Sequence, residues 1–139
     1  MPKTEKNKER NESNDKLQEA ALKFTLANHS ILDSLTKFQE YCARTNRSIS
    51  RAVTSCGCVK IKAEKQHIPP GAKFSEVGTF LSTHLEGCLC QRCKEVVEEE
   101  IGQTLFYLAA ICSNLCIDFN ETVQKELDRI STLGVFSLA

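Results

Sequence analysis

The sequence predicts an all-α protein, a four- to five-helix bundle. Three observations carry this. Apolar residues recur at steps of three and four over long stretches, no segment alternates apolar and polar residues, and helix-stopping Pro69, Pro70 and Gly71 are gathered in one break. At 139 residues the chain is long enough to bury a core as one domain, so cysteines are not needed merely to compensate for small size.

Residues 1–14 (MPKTEKNKERNESN) are charged and without apolar residues beyond Met1, and they read as a solvated, disordered tail ahead of a single domain over 15–139. A first long helix is expected from about Asn14 to Arg47. Leu17, Ala21, Phe24, Ile31, Leu35, Phe38 and Cys42 form its stripe, which only Asn28 interrupts. Cys42 on that stripe reads as a small core residue. A second helix is expected over about Ser48–Ala63, capped by Ser48 and carrying Ile49, Ala52 and Val53 before Cys56-Gly57-Cys58, whose glycine and clustered thiols can bend it or end it early. Pro69, Pro70 and Gly71 stop any helix. Ser75 then caps a short helix with Val77, Phe80, Leu81 and Leu85, which Gly87 ends.

A long helix follows from about Arg92 to Leu115, with Ile101, Leu105, Leu108, Cys112 and Leu115 on one stripe; Cys112 and Cys116 read as core. Asp118 opens the last helix with Glu121 three residues on, a variant of the capping box. Val123, Leu127 and Ile130 give that helix a buried face, and Gly134 ends it.

Eighteen basic residues balance eighteen acidic ones, which leaves no overall electrostatic footprint for nucleic acid or an anionic membrane. No apolar run approaches a membrane span, and residues 1–14 do not read as a signal peptide. The expectation is a cytoplasmic protein whose thiols stay reduced and available to metals.

Against that background, eight cysteines call for an explanation. Cys56 and Cys58 form a C-x-C pair. Cys90 and Cys93 form a C-x-x-C pair with Cys88 close by as an alternate ligand. Two short-spaced pairs from separate segments suit the four sulfur ligands of tetrahedral zinc, and a closed four-thiolate shell is structural, not catalytic. An iron–sulfur cluster is the alternative. A redox dithiol of Cys90 and Cys93 fits less well without a βαβ pattern around it. A disulfide framework is disfavoured where no secretion signal is read. His84 is a conceivable substitute ligand, though a lone histidine on a short helix is more often a surface residue.

Glu95, Glu98, Glu99 and Glu100 open the long fourth helix. The helix dipole favours acidic residues there, and carboxylates also suit Mg²⁺. Three stretches, Glu99–Leu108 (EEIGQTLFYL), Ala109–Phe119 (AAICSNLCIDF) and Lys125–Ile130 (KELDRI), resemble the all-α nucleoside triphosphate pyrophosphohydrolases of the MazG-like superfamily. The resemblance is clear over about residues 95–134 and weaker, but in order, before that. It implies a homodimer or higher homo-oligomer and a nucleotide ligand.

The family's chemistry uses an E-x-x-D pair on this helix and an E-E-x-x-E set on the preceding one to hold Mg²⁺. Glu100 matches the first position of the pair, but Gln103 stands at the aspartate position. Thr54–Cys58 (TSCGC) stands where the glutamate set belongs. Carboxylates suited to a hard cation are missing and thiolates suited to a soft one stand there. The expectation is therefore a MazG-like metal-binding protein acting in binding, regulation or assembly, with no catalytic residues. The alternatives are a divergent Mg²⁺-dependent pyrophosphohydrolase using Glu95, Glu98, Glu99 and Glu100, and an iron–sulfur or thiol redox sensor using the cysteines.

Overall fold

The computed structural model describes residues 2–27 and 30–134, with side chains from residue 12 onward. Helix dominates: α1 (Pro2–Ala27), α2 (Ile31–Arg51), α3 (Val77–Phe80), α4 (Gln91–Asn114) and α5 (Phe119–Leu133). A π-helical turn covers Ala52–Cys56 and a 3₁₀ turn covers Phe74–Glu76. Two short strands, β1 (Val59–Ile61) and β2 (Leu85–Gly87), pair antiparallel.

Several sequence expectations need correcting. The first long helix is two helices; Asn28, expected to interrupt its stripe, lies outside the described residues. The charged segment that reads as a tail is helical from Pro2. Exposed pairs one turn apart, Glu12–Lys16 and Glu19–Lys23, suit this solvated helix. No separate helix begins at Ser48. That residue lies inside α2, where its hydroxyl donates to the Thr45 carbonyl (2.7 Å) and caps nothing. The second helix, expected to about Ala63 unless Cys56-Gly57-Cys58 bends or ends it early, does end there: the chain turns at Gly57 and enters β1. The helix expected after Ser75 shrinks to one turn, and Leu85–Gly87 become β2. Three-residue strands are too short to show a period-two pattern, so periodicity missed them.

The chain divides into two compact units, Met1–Ala43 with Ile101–Ala139, and Arg44–Glu100. In the first unit the buried cluster is Ala21, Ala109, Ala110, Cys112 and Phe119, with Leu17, Phe106, Leu108 and Val123 against it. The alanines, fully buried, permit close helix approach. Phe24 meets Phe106 and Tyr107 edge-on at 5.4 and 5.7 Å, and Tyr41 stacks on Tyr107 at 5.3 Å. Gln18 fixes the chain entering α5: its amide donates to the Ile117 carbonyl (2.7 Å) and accepts from the Phe119 N–H (2.9 Å). Asp118 caps α5 as expected, accepting from the Glu121 N–H at 2.7 Å, and Gly134 closes that helix.

Cys112 is buried, as its stripe requires. Cys42 and Cys116 are exposed, contrary to the core reading. Cys116 has left α4 and sits at φ 56°, beyond the stripe its spacing implied. Ile101, Leu105 and Leu115 on the α4 stripe, and Leu35 on α2, are between 42% and 54% exposed, so these stripes are only partly covered within one chain.

Candidate metal centre

The Arg44–Glu100 unit has little apolar interior. Ala52, Val59 and Val97 are its buried apolar residues among those described. What organises it is a backbone scaffold around the cysteines. The π-helical turn ends on Gly57, whose N–H bonds the Ala52 carbonyl (2.9 Å) and whose φ of 75° reverses the chain. Cys56 and Cys58 flank that reversal. β1 then pairs with β2 in the register Val59 with Gly87, Lys60 with Glu86 and Ile61 with Leu85. This register sets the exit of β2 beside Cys58. The approach is tight: a Cβ on Gly87, at φ 85°, would lie 2.7 Å from the Cys58 carbonyl oxygen.

From β2 the chain runs through Cys88 to Cys90, the residue preceding α4. The Cys90 carbonyl accepts the first helical bond, from the Lys94 N–H (2.9 Å), and its Sγ accepts from the Cys93 N–H (3.5 Å). Cys90 thus caps α4 with sulfur, and Cys93 lies one turn on, facing the same point.

The sulfurs of Cys56, Cys58, Cys90 and Cys93 all lie within 4.8 Å of one another, and Cys56 and Cys90 approach to 3.8 Å. A single ion with four sulfurs at ~2.3 Å requires sulfur–sulfur edges of about 3.8 Å, so the cage matches one tetrahedral ion. The four are free thiols, not disulfides. The Cys93 N–H at the start of α4, with the Cys93 thiol beside it, lowers the Cys90 thiol to about 7. Cys93, donating to Cys90, is pushed up to about 12. The group therefore shares protons as a set, and a dication that binds it displaces them.

Cys88 is exposed and outside the cage. His84 is also outside it: its Nε2 meets the Glu64 carbonyl oxygen at 2.7 Å, which ties the ends of the long 62–84 connection together. Gln66 makes a second tie, to the Ser82 backbone N–H and carbonyl (2.9 and 2.7 Å).

The four glutamates do not converge. Glu95 accepts from Gln91 (2.7 Å), Glu98 pairs with Lys94 (3.5 Å), and Glu99 is exposed. Glu100 is gripped by the guanidinium of Arg44 through Nε and Nη2 at 3.0–3.2 Å, its side chain only 14% exposed. That pair joins α2 to α4, and the sequence alone does not reveal it. Arg44 lies on the polar side of an amphipathic helix, and nothing in its spacing singles it out. Among the described residues no single helix is long and apolar enough to cross a membrane.

No protein-family model, no curated protein and no solved structure matches this chain.

Proposed function

We propose that one zinc ion, bound as thiolates by Cys56, Cys58, Cys90 and Cys93, holds the Arg44–Glu100 unit together. The chain then acts as a cytoplasmic, self-associating binding, regulatory or assembly protein of MazG-like descent, without pyrophosphohydrolase chemistry. The observation that carries the metal assignment is the cage itself, four free sulfurs at the spacing of a single tetrahedral ion. A polynuclear iron–sulfur cluster needs room for several atoms inside the sulfurs, which argues for the mononuclear reading. Four protein ligands leave no open position, so the role is structural. The lack of hydrolysis is supported by the carboxylates: Glu100 is committed to Arg44, and Gln103, Thr54, Ser55 and Cys58 supply no others. Self-association is supported by the apolar residues left exposed on the other unit, among them Leu22, Leu26, Leu32, Leu35 and Leu105.

The test is metal analysis and visible spectroscopy of protein purified without oxygen. The expected result is about one zinc per chain and a colourless solution. Iron with labile sulfide would replace zinc with a cluster, and stably folded metal-free protein would overturn the assignment. Robust Mg²⁺-dependent release of pyrophosphate from nucleoside triphosphates, abolished by Glu100→Gln, would make the protein an enzyme.

A further inference from the structure

The end of α2 carries Arg44, Arg47 and Arg51 at steps of three and four, which sets them on one helix face. Opposite them are Val96 and Glu100 of α4, and between lies a cavity of about 430 Å³ that Ser48 also lines. A second cavity of about 430 Å³ shares Ser48, Arg51 and Val96 and extends to Ser55, Arg92 and the edge of the cysteine cage at Cys56 and Cys93. Only one carboxylate lines either cavity, Glu100, and Arg44 neutralises it. Arg47, Arg51 and Arg92 make no ion pair with any described residue. In a chain of zero formal net charge, three guanidiniums along one cleft with no carboxylate ion pair are a local concentration of positive charge.

From this we infer a binding site for a small phosphate-bearing anion, held by Arg47 and Arg51 directly and without a divalent cation. Guanidinium forks match phosphate oxygens two at a time, and the cavity is within the size range of small-molecule sites. The position within the cleft follows from charge. Four thiolates around a dication carry a net charge of −2, which Arg92 and part of Arg51 offset, since they line the cavity that reaches Cys56 and Cys93. Arg47 lines only the cavity away from the cage, so the anion sits at that end, between Arg47 and Arg51. The paired Arg44–Glu100 forms its wall, with the Arg44 guanidinium held against α4.

The experiment is isothermal titration of the purified, metal-containing protein with inorganic pyrophosphate, inorganic phosphate and a single-stranded oligonucleotide, in Mg²⁺-free buffer of low ionic strength. Saturable binding of pyrophosphate is expected, stronger than phosphate and weakened by added Mg²⁺, which competes for the same oxygens. Arg47→Gln and Arg51→Gln should each weaken it at least about tenfold, as befits a lost hydrogen bond to a charged group. Lys60→Gln, on β1 outside the cleft, should leave it unchanged. Arg47→Lys, which keeps charge but loses the fork, should fall between Arg47→Gln and the parent. Metal content and melting temperature report whether each variant is folded, so failure of the metal assignment is seen separately. Absence of saturable pyrophosphate binding, equal affinity in Arg47→Gln and parent, or tightening by Mg²⁺ would overturn the proposal. An oligonucleotide that binds more tightly than pyrophosphate, with a steep salt dependence, would reassign the cleft to nucleic acid.

Discussion

Gly87 joins local backbone geometry to the cysteine cage. Its φ of 85° is poorly accessible to other residues, and any Cβ would press on the Cys58 carbonyl at 2.7 Å. Gly87→Ala should therefore cost about 2 kcal/mol or more and weaken metal retention, since relief of the clash moves Cys58. A chelator-competition titration beside a melting curve checks both; a variant with parental metal affinity would mean the ladder does not position the cage. Cys93 and Cys42 make a second contrast. Cys93→Ser removes a ligand and should release metal and lower the melting temperature clearly. Cys42 is exposed, so Cys42→Ser should fall within about 0.5 kcal/mol of the parent, as surface substitutions do. The paired cysteine spacing was legible because short spacers alone let two sulfurs reach one ion. The exposure of Cys42 was not, because helical periodicity says which residues share a face but not whether anything covers it.

At the scale of elements, α5 and the end of α2 behaved differently. The start and stop of α5 were readable because capping is local: Asp118 and Glu121 are three residues apart, and Gly134 follows. The clamp by Gln18 comes from α1, about a hundred residues away, and no local signal marks it. Gln18→Ala should cost about 1 kcal/mol, because two hydrogen bonds at the partly exposed mouth of α5 are given up to water. Gln18→Glu should cost less, since a carboxylate still accepts from the Phe119 N–H and loses only the donation to the Ile117 carbonyl. Parental unfolding midpoints in denaturant for both variants would refute the clamp. The stretch after α2 shows the complementary case. Ala52–Cys56 are still helical, and the Gly57 reversal and the pairing of Val59 with Gly87, a partner from a distant segment, draw the chain into a strand.

At the scale of the whole molecule, the Arg44–Glu100 unit has Ala52, Val59 and Val97 as its described buried apolar residues, whereas the other unit has a contiguous cluster around Ala109, Ala110 and Phe119. So thin an interior gives little hydrophobic stabilisation, and small units of this kind rely on a metal or another cross-link. Removal of the metal by a strong chelator should erase amide-exchange protection through Val59–Ile61 and Leu85–Gly87, while amides near Ala109–Cys112 stay protected. Protection unchanged in the strands would show that the ladder stands without the metal.

By itself the sequence determined the helical class, the extents of α4 and α5, and the four cysteines able to meet at one ion. Each of these rests on spacing along the chain, through the 3.6-residue period, the reach of a cap and the reach of a ligand pair. Only the tertiary structure decided that Cys88 stays outside the cage, that Glu100 belongs to Arg44, and that Arg47, Arg51 and Arg92 gather along one cleft. The Arg44–Glu100 pair, and the cavity that Arg51 shares with Arg92, bring together segments some forty to sixty residues apart. They depend on the register of a three-residue ladder and the close approach of two helices, which no local pattern of residues encodes.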